Sequence, residues 1–146
     1  MLRRATPHDI EACLAMCRCF YDESGLREQP YDESSMRVTL DRLMGSEGGL
    51  LLLTEVDGAL TGMAAALAYP SYFNGLSVAQ ELFWWVRPER RGTSDGVRLL
   101  KAIEEWAKDR GCVSLTMICL PIESPAESVY QRCGYRACER SYIKEL

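Results

Sequence analysis

The chain has 146 residues, of which 47% are hydrophobic and 26% charged, with a formal net charge of −4. That is the size and balance of one ordinary globular domain able to bury a core of its own. The acidic balance argues against a protein held to nucleic acid by overall charge, and no apolar run reaches the roughly 18 residues of a membrane span.

The opening MLRRATPHDIEACLAM turns polar at once and does not read as a signal peptide. Seven cysteines, an odd number, read as free thiols in a reducing compartment, so a cytoplasmic location is expected. Residues 2–5 predict a short strand. Thr6-Pro7-His8-Asp9 then offers a helix start, with a threonine cap, a proline in the first turn and an acid three residues on. Ile10, Cys13, Leu14, Cys17 and Phe20 continue at helical spacing. Cys13, Cys17 and Cys19 cluster there, but with one histidine in the chain and no Cys-x-x-Cys they read as small core residues, and no metal site is expected.

A polar segment, YDESGLREQPYDESS, leads to a second helix over 36–44, closed by Gly45. GGLLLLTEVDGALTGMAAALAY is a hairpin signal, two apolar runs joined at Asp57-Gly58, a pair suited to the positive φ of a tight turn. A loop with Tyr69, Tyr72 and Phe73 follows. Residues 78–86 predict a buried strand ended by Pro88. Residues 94–110 predict a helix with Gly96, Leu99, Leu100, Ile103, Trp106 and Ala107 on one stripe, stopped by Gly111. CVSLTMICL predicts a second buried strand over 113–120, then come a short helix over 126–132, Gly134 and a final strand ending in SYIKEL. Strand, helix, strand across 78–120 is a βαβ unit whose strands should be parallel. With the hairpin before it, the expected fold is α+β with a mixed sheet in one domain, 1–146.

The turn inside that unit, RPERRGTSDG, is where chemistry is expected. A helix N-terminus in a βαβ unit points free N–H groups into the crevice beyond the strand, and anions bind there. Arg87, Arg90, Arg91, Arg98 and Lys101 make a basic patch around it. The patch reads either as a solvated helix edge or as the seat of a small anionic ligand.

The pattern strand–Val86-x-Pro88–x-x-Arg91-Gly92-x-x-x-Gly96–helix resembles the acetyl-CoA-binding motif of the GCN5-related N-acetyltransferase (GNAT) family. VYQRCGY (129–135) is similar to its later Leu-Tyr-x-x-x-Gly-Phe element, and the element order matches over nearly the whole chain. The tryptophan-rich ELFWWVRPERRG, with LLKAIEEWAKDRGC after it, is similar to members found in phages and prophages. The resemblance implies a GNAT-like, mostly antiparallel sheet flanked by helices, its parallel fourth and fifth strands splayed to hold acetyl-CoA. The pyrophosphate would sit on backbone amides of Arg91, Gly92, Thr93, Ser94, Asp95 and Gly96, and the pantetheine arm would pair with Trp84, Trp85 and Val86. Arg98, Lys101 or Arg132 would meet the ribose phosphate. Ser94 stands where the family has a glycine and could cap the helix. Asp95 suits the helix dipole but would repel a pyrophosphate if turned inward, so Asp95→Ala is expected to leave binding equal or better. A side chain at Gly96 is expected to meet the pyrophosphate.

Acetyl transfer to an amine needs a base, because an alkyl amine has a pKa of about 10. Glu81, a carboxylate inside the apolar run AQELFWWV, is the first candidate, with an outward-facing edge residue as the other reading; Glu123 is the reserve. A backbone N–H near Val86 would polarise the carbonyl. Tyr130 matches the family's general-acid tyrosine, against the reading of a packed aromatic. Cys119 and Cys133 fall nearby but have no histidine partner for a covalent step. The acceptor, an amine of a small molecule or protein, is expected to meet Asp22, Glu23, Asp32 and Glu33, with Tyr69, Tyr72 and Phe73. Two rivals stay open: a silent relative that binds CoA or a protein partner, and a phage-type enzyme modifying a nucleobase or host protein. A homodimer is also left open.

Overall fold

In the computed structural model, which describes all 146 residues, the Thr6–Asp9 stretch starts the first helix as its sequence suggests. The Thr6 N–H donates to the Asp9 carboxylate at 2.8 Å, and a 3₁₀ turn, Pro7–Asp9, runs into α1, Ile10–Ser24. Arg3 of β1 (Leu2–Arg4) clamps the same carboxylate with two bonds of 2.8 Å, which fixes the helix start to the sheet. α1 runs through Tyr21–Ser24, four residues further than the expected polar segment allows. α2, Glu33–Gly45, is capped by Asp32, whose side chain accepts from the Ser35 N–H at 2.7 Å.

β2 (Gly49–Val56) and β3 (Ala59–Pro70) form the hairpin, with Asp57 at φ 51° and Gly58 at φ 79° in its turn. Positive φ at both positions is what the Asp-Gly pair supplies. β4 (Ser77–Val86), α3 (Asp95–Asp109) and β5 (Leu115–Thr116) make the crossover unit. The sheet order is β1-β2-β3-β4-β5, antiparallel except for β4 and β5, which are parallel.

Side-chain alternation on β2 and β3 feeds two cores. Leu51, Leu53, Met63 and Ala65 pack under α1 and α2 with Cys13 and Cys17. Leu50, Leu52, Ala64 and Ala66 face α3 through Leu99 and Ile103. Burial pushes the Cys17 thiol up to about 12, which keeps it a protonated core residue. On β4 the register against β3 slips between Ala65 and Ala66, whose partners are Phe83 and Glu81. This β-bulge lets Phe83 and Trp85 join the α1–α2 core while Trp84 and Val86 turn to the α3 side.

Two expected strands differ. The run 113–120 pairs with β4 only at Leu115 and Thr116, both half-buried, and Val113 is 61% exposed. Residues 136–146 form no strand and are exposed. The causes are linked: with no strand on its outer side, β5 is the edge of the sheet, so its apolar residues have one neighbour rather than two. α4 (Ala126–Arg132) forms as expected.

Candidate active site

Past Gln80, β4 loses its partner on the β5 side, and the widening gap opens into a cavity of about 300 Å³. Its wall combines Glu81, Leu82 and Trp84 of β4, Ile118 and Leu120 beyond β5, Tyr130 of α4, and Phe20 and Leu26 from the end of α1.

Glu81 is buried, 3% exposed, and accepts from the Ile118 N–H at 2.9 Å. It points inward, against the reading of an outward edge residue. Desolvation pushes its carboxyl up to about 7, opposed only by the Ile118 bond. The Tyr130 hydroxyl donates to the Ile118 carbonyl at 2.9 Å. Its ring packs 5.5 Å from Trp84 and 5.9 Å from Tyr135, and Tyr135 anchors to Glu104 of α3 at 2.9 Å. Burial holds the Tyr130 phenol well above its ordinary value, with the nearby Glu81 charge adding to it. Glu81 and Tyr130 are therefore joined through the two backbone groups of Ile118, a residue that nothing in its own sequence context singles out. Glu123 is exposed and does not line the cavity.

The turn after β4 is held by its own side chains. Thr93 Oγ1 donates to the Arg90 carbonyl at 2.7 Å and accepts from the Asp95 N–H at 3.3 Å. Ser94 occupies the cap position but makes no side-chain cap bond, so Thr93 does the work expected of it. Gly92 takes φ 83°, a conformation glycine adopts without cost. The amides of Gly92, Ser94, Gly96 and Val97 donate to no protein group, while those of Arg91 and Thr93 are bonded inside the turn. Four free N–H groups at the start of a fifteen-residue helix suit a pyrophosphate. Arg98 and Lys101 are exposed on α3 and Arg132 on α4.

Asp95 and Gly96 also differ from expectation. Asp95 is 2% exposed and turned away from solvent, accepting from Arg90 Nε at 2.9 Å. The Arg90 bond holds its carboxyl below the ordinary range. A carboxylate buried behind the turn does not face a phosphate there, so Asp95→Ala relieves no repulsion and does not leave binding equal or better. The substitution leaves Arg90 unpaired and should cost about 2 kcal/mol of stability while weakening acetyl-CoA binding. Thermal unfolding and calorimetry on the variant check both, and tighter binding would refute this placement. Gly96 is the second difference. A Cβ there would lie 3.0 Å from the Trp84 ring, and the Gly96 carbonyl accepts from Trp84 Nε1 at 3.0 Å. The glycine lets α3 approach the indole; a side chain would meet Trp84 rather than the pyrophosphate.

Arg91 likewise points elsewhere. Its Nε donates to the Val86 carbonyl at 3.0 Å and Nη2 to Glu23 at 2.6 Å, and the guanidinium lies 5.9 Å over the Trp85 ring. Trp85 is itself buried and donates to the other Glu23 oxygen at 3.2 Å. Of the acids expected to receive an amine, Asp22 pairs with Arg18, Glu23 with Arg91, and Asp32 caps α2. Tyr72 and Phe73 are 88% and 80% exposed, stacked on each other at the far end of β4.

A strand leading into free helix-start amides, beside a splay that holds a buried carboxylate and a phenol, is the arrangement the sequence pattern suggested. The model of the Acetyltransferase (GNAT) family matches residues 13–135. The chain belongs to the GNAT acetyltransferase family. Among its relatives is an aminoglycoside N(6')-acetyltransferase type 1 of Stenotrophomonas maltophilia, 27% identical and aligned over 95% of this chain and 88% of that protein. Its fold is shared by an aminoglycoside acetyltransferase crystallised with a CoA–acetylneamine bisubstrate analogue. That likeness has a TM-score of 0.82 and 17% identity, over 99% of this chain and 95% of the other. A ribosomal-protein-alanine N-acetyltransferase from Brucella melitensis biovar Abortus 2308 is similar at TM-score 0.78 and 16% identity, over 100% and 98%. As a GNAT acetyltransferase, the protein takes acetyl-CoA as cosubstrate and transfers its acetyl group to an amine. No helix is long and apolar enough to cross a membrane.

Proposed function

We propose that the acceptor is a primary amine of a small polyamine of the aminoglycoside kind, and that Glu81 and Tyr130 serve the transfer as base and proton donor. The observation that carries this is their convergence on Ile118 in the wall of one cavity, beside free amides suited to a pyrophosphate. The relative aligned over most of both chains supports the acceptor class.

Bound acetyl-CoA supplies an activated thioester. The turn's free amides hold its phosphates, and the unpartnered edge of β4 past Gln80 receives the pantetheine arm and polarises the thioester carbonyl. A carboxyl near 7 ionises at mildly alkaline pH, so Glu81 can take the ammonium proton, directly or through a water. Tyr130 keeps its proton because burial opposes phenolate. The same dry cavity disfavours a thiolate, so Tyr130 passes its proton to the sulfur as the C–S bond breaks and takes one back from the newly acylated nitrogen, leaving no buried phenolate. Burial pushes the Cys119 thiol up, which disfavours a covalent acyl-cysteine and favours direct transfer. The apolar side chains of Phe20, Leu26, Leu82, Leu120 and Ala126 contribute shape.

The test is turnover of acetyl-CoA with neamine and sisomicin beside a peptide with an N-terminal alanine, followed by free-thiol release and mass spectrometry of the product. Monoacetylated aminoglycoside at a kcat/KM well above the peptide's is the expected result. Acetylation of the peptide alone would overturn the acceptor class.

A further inference from the structure

We propose that Glu23 is a positioning residue for acetyl transfer, holding the phosphate-binding turn against the end of α1 without touching the cosubstrate. The inference rests on the placement of acetyl-CoA in the preceding reading. Glu23 is the only acid on α1 that reaches the turn, and both its oxygens are engaged. One accepts from Trp85 Nε1 at 3.2 Å and the other from Arg91 Nη2 at 2.6 Å. Arg91 then reaches the last carbonyl of β4, at Val86, through Nε at 3.0 Å. One carboxylate thus joins three pieces of backbone: the end of α1, the end of β4 and the first residue of the glycine turn.

The α1 end is itself stiffened. Ser24, 3% exposed, donates its hydroxyl to the Tyr21 carbonyl at 2.7 Å and accepts from the Leu26 N–H at 3.1 Å. Gly25 takes φ 76° to end the helix. This brace holds Leu26 in the cavity wall beside Phe20. The Glu23–Arg91 pair consequently sets the wall and the turn relative to each other. Arg91, with its side chain committed in this way, serves as the anchor of the turn rather than as a phosphate contact.

The sign of one effect separates this from ordinary electrostatics. A carboxylate near a polyanionic cosubstrate repels it, so its removal should tighten binding. A positioning role demands the opposite. Calorimetry of acetyl-CoA with the purified protein is the experiment, alongside steady-state kinetics with neamine. Glu23→Ala should bind acetyl-CoA about 10-fold more weakly, with KM for acetyl-CoA raised and kcat at saturation within about twofold of the parent. Glu23→Gln is isosteric and 42% exposed, so it keeps the fold; it retains an acceptor for Trp85 and should fall between the two. Arg91→Leu should lose as much as Glu23→Ala, and the double variant no more than the worse single one, because one linkage is broken twice. Affinity unchanged or improved in both Glu23 variants would overturn the proposal. Failure of the parent protein to bind acetyl-CoA would instead sink the underlying placement, so the two failures are distinguishable.

Discussion

Glu81→Gln is expected to slow acetyl transfer by about 10²–10⁴-fold, the range for losing a positioned base, and to erase the pH dependence near neutrality. In the parent enzyme kcat/KM should rise with pH through about 7, where the buried carboxyl ionises. The variant has no such group and should show no limb there. Stability moves the other way. The folded pKa lies above the ordinary 4.5, so the native state holds a proton that the unfolded chain has already released. The parent's stability should therefore fall as pH rises from about 4.5 to 7, by up to about 3 kcal/mol from this group. Glutamine avoids that loss. The variant should match the parent near pH 4 and melt at higher temperature near pH 8. A parallel rate profile for the two proteins would remove Glu81 from the chemistry.

Tyr130→Phe is the second large effect. The ring keeps its contacts with Trp84 and Tyr135, so the fold should survive with a loss of about 1 kcal/mol from the single bond to the Ile118 carbonyl. Acetyl-CoA affinity should hardly change, because the free amides of the turn are untouched. The chemical step should slow by about 10²–10⁴-fold. Acyl donors with more acidic thiols should shrink the deficit, since their leaving groups need less protonation. Pre-steady-state turnover across a donor series measures this. Equal rates for parent and variant on every donor would assign Tyr130 to packing alone.

What could be read from the chain was what local rules govern. The Asp57-Gly58 turn, the Thr6–Asp9 helix start, the crossover from β4 through α3 to β5 and the glycine turn all follow from short-range φ preferences and from periodicity. These act within a few residues, so they survive without knowledge of neighbours. The motif around Arg91-Gly92 and the spacing to Tyr130 likewise carried the family and its cosubstrate.

Tertiary contacts decided what each charged or edge residue does. Whether Glu81 faced in or out depended on a bulge against β3 and on Ile118, 37 residues away. Arg91 was taken by Glu23, 68 residues away, and Asp95 turned inward to Arg90. The apolar run 113–120 read as a buried strand, yet only two of its residues pair, because burial needs a neighbour on each side and the sheet ends there. A sequence states that a side chain is charged or apolar. Which partner neutralises it, or which surface covers it, is chosen by the approach of elements far apart in the chain, and that approach is fixed only when the whole sheet has formed.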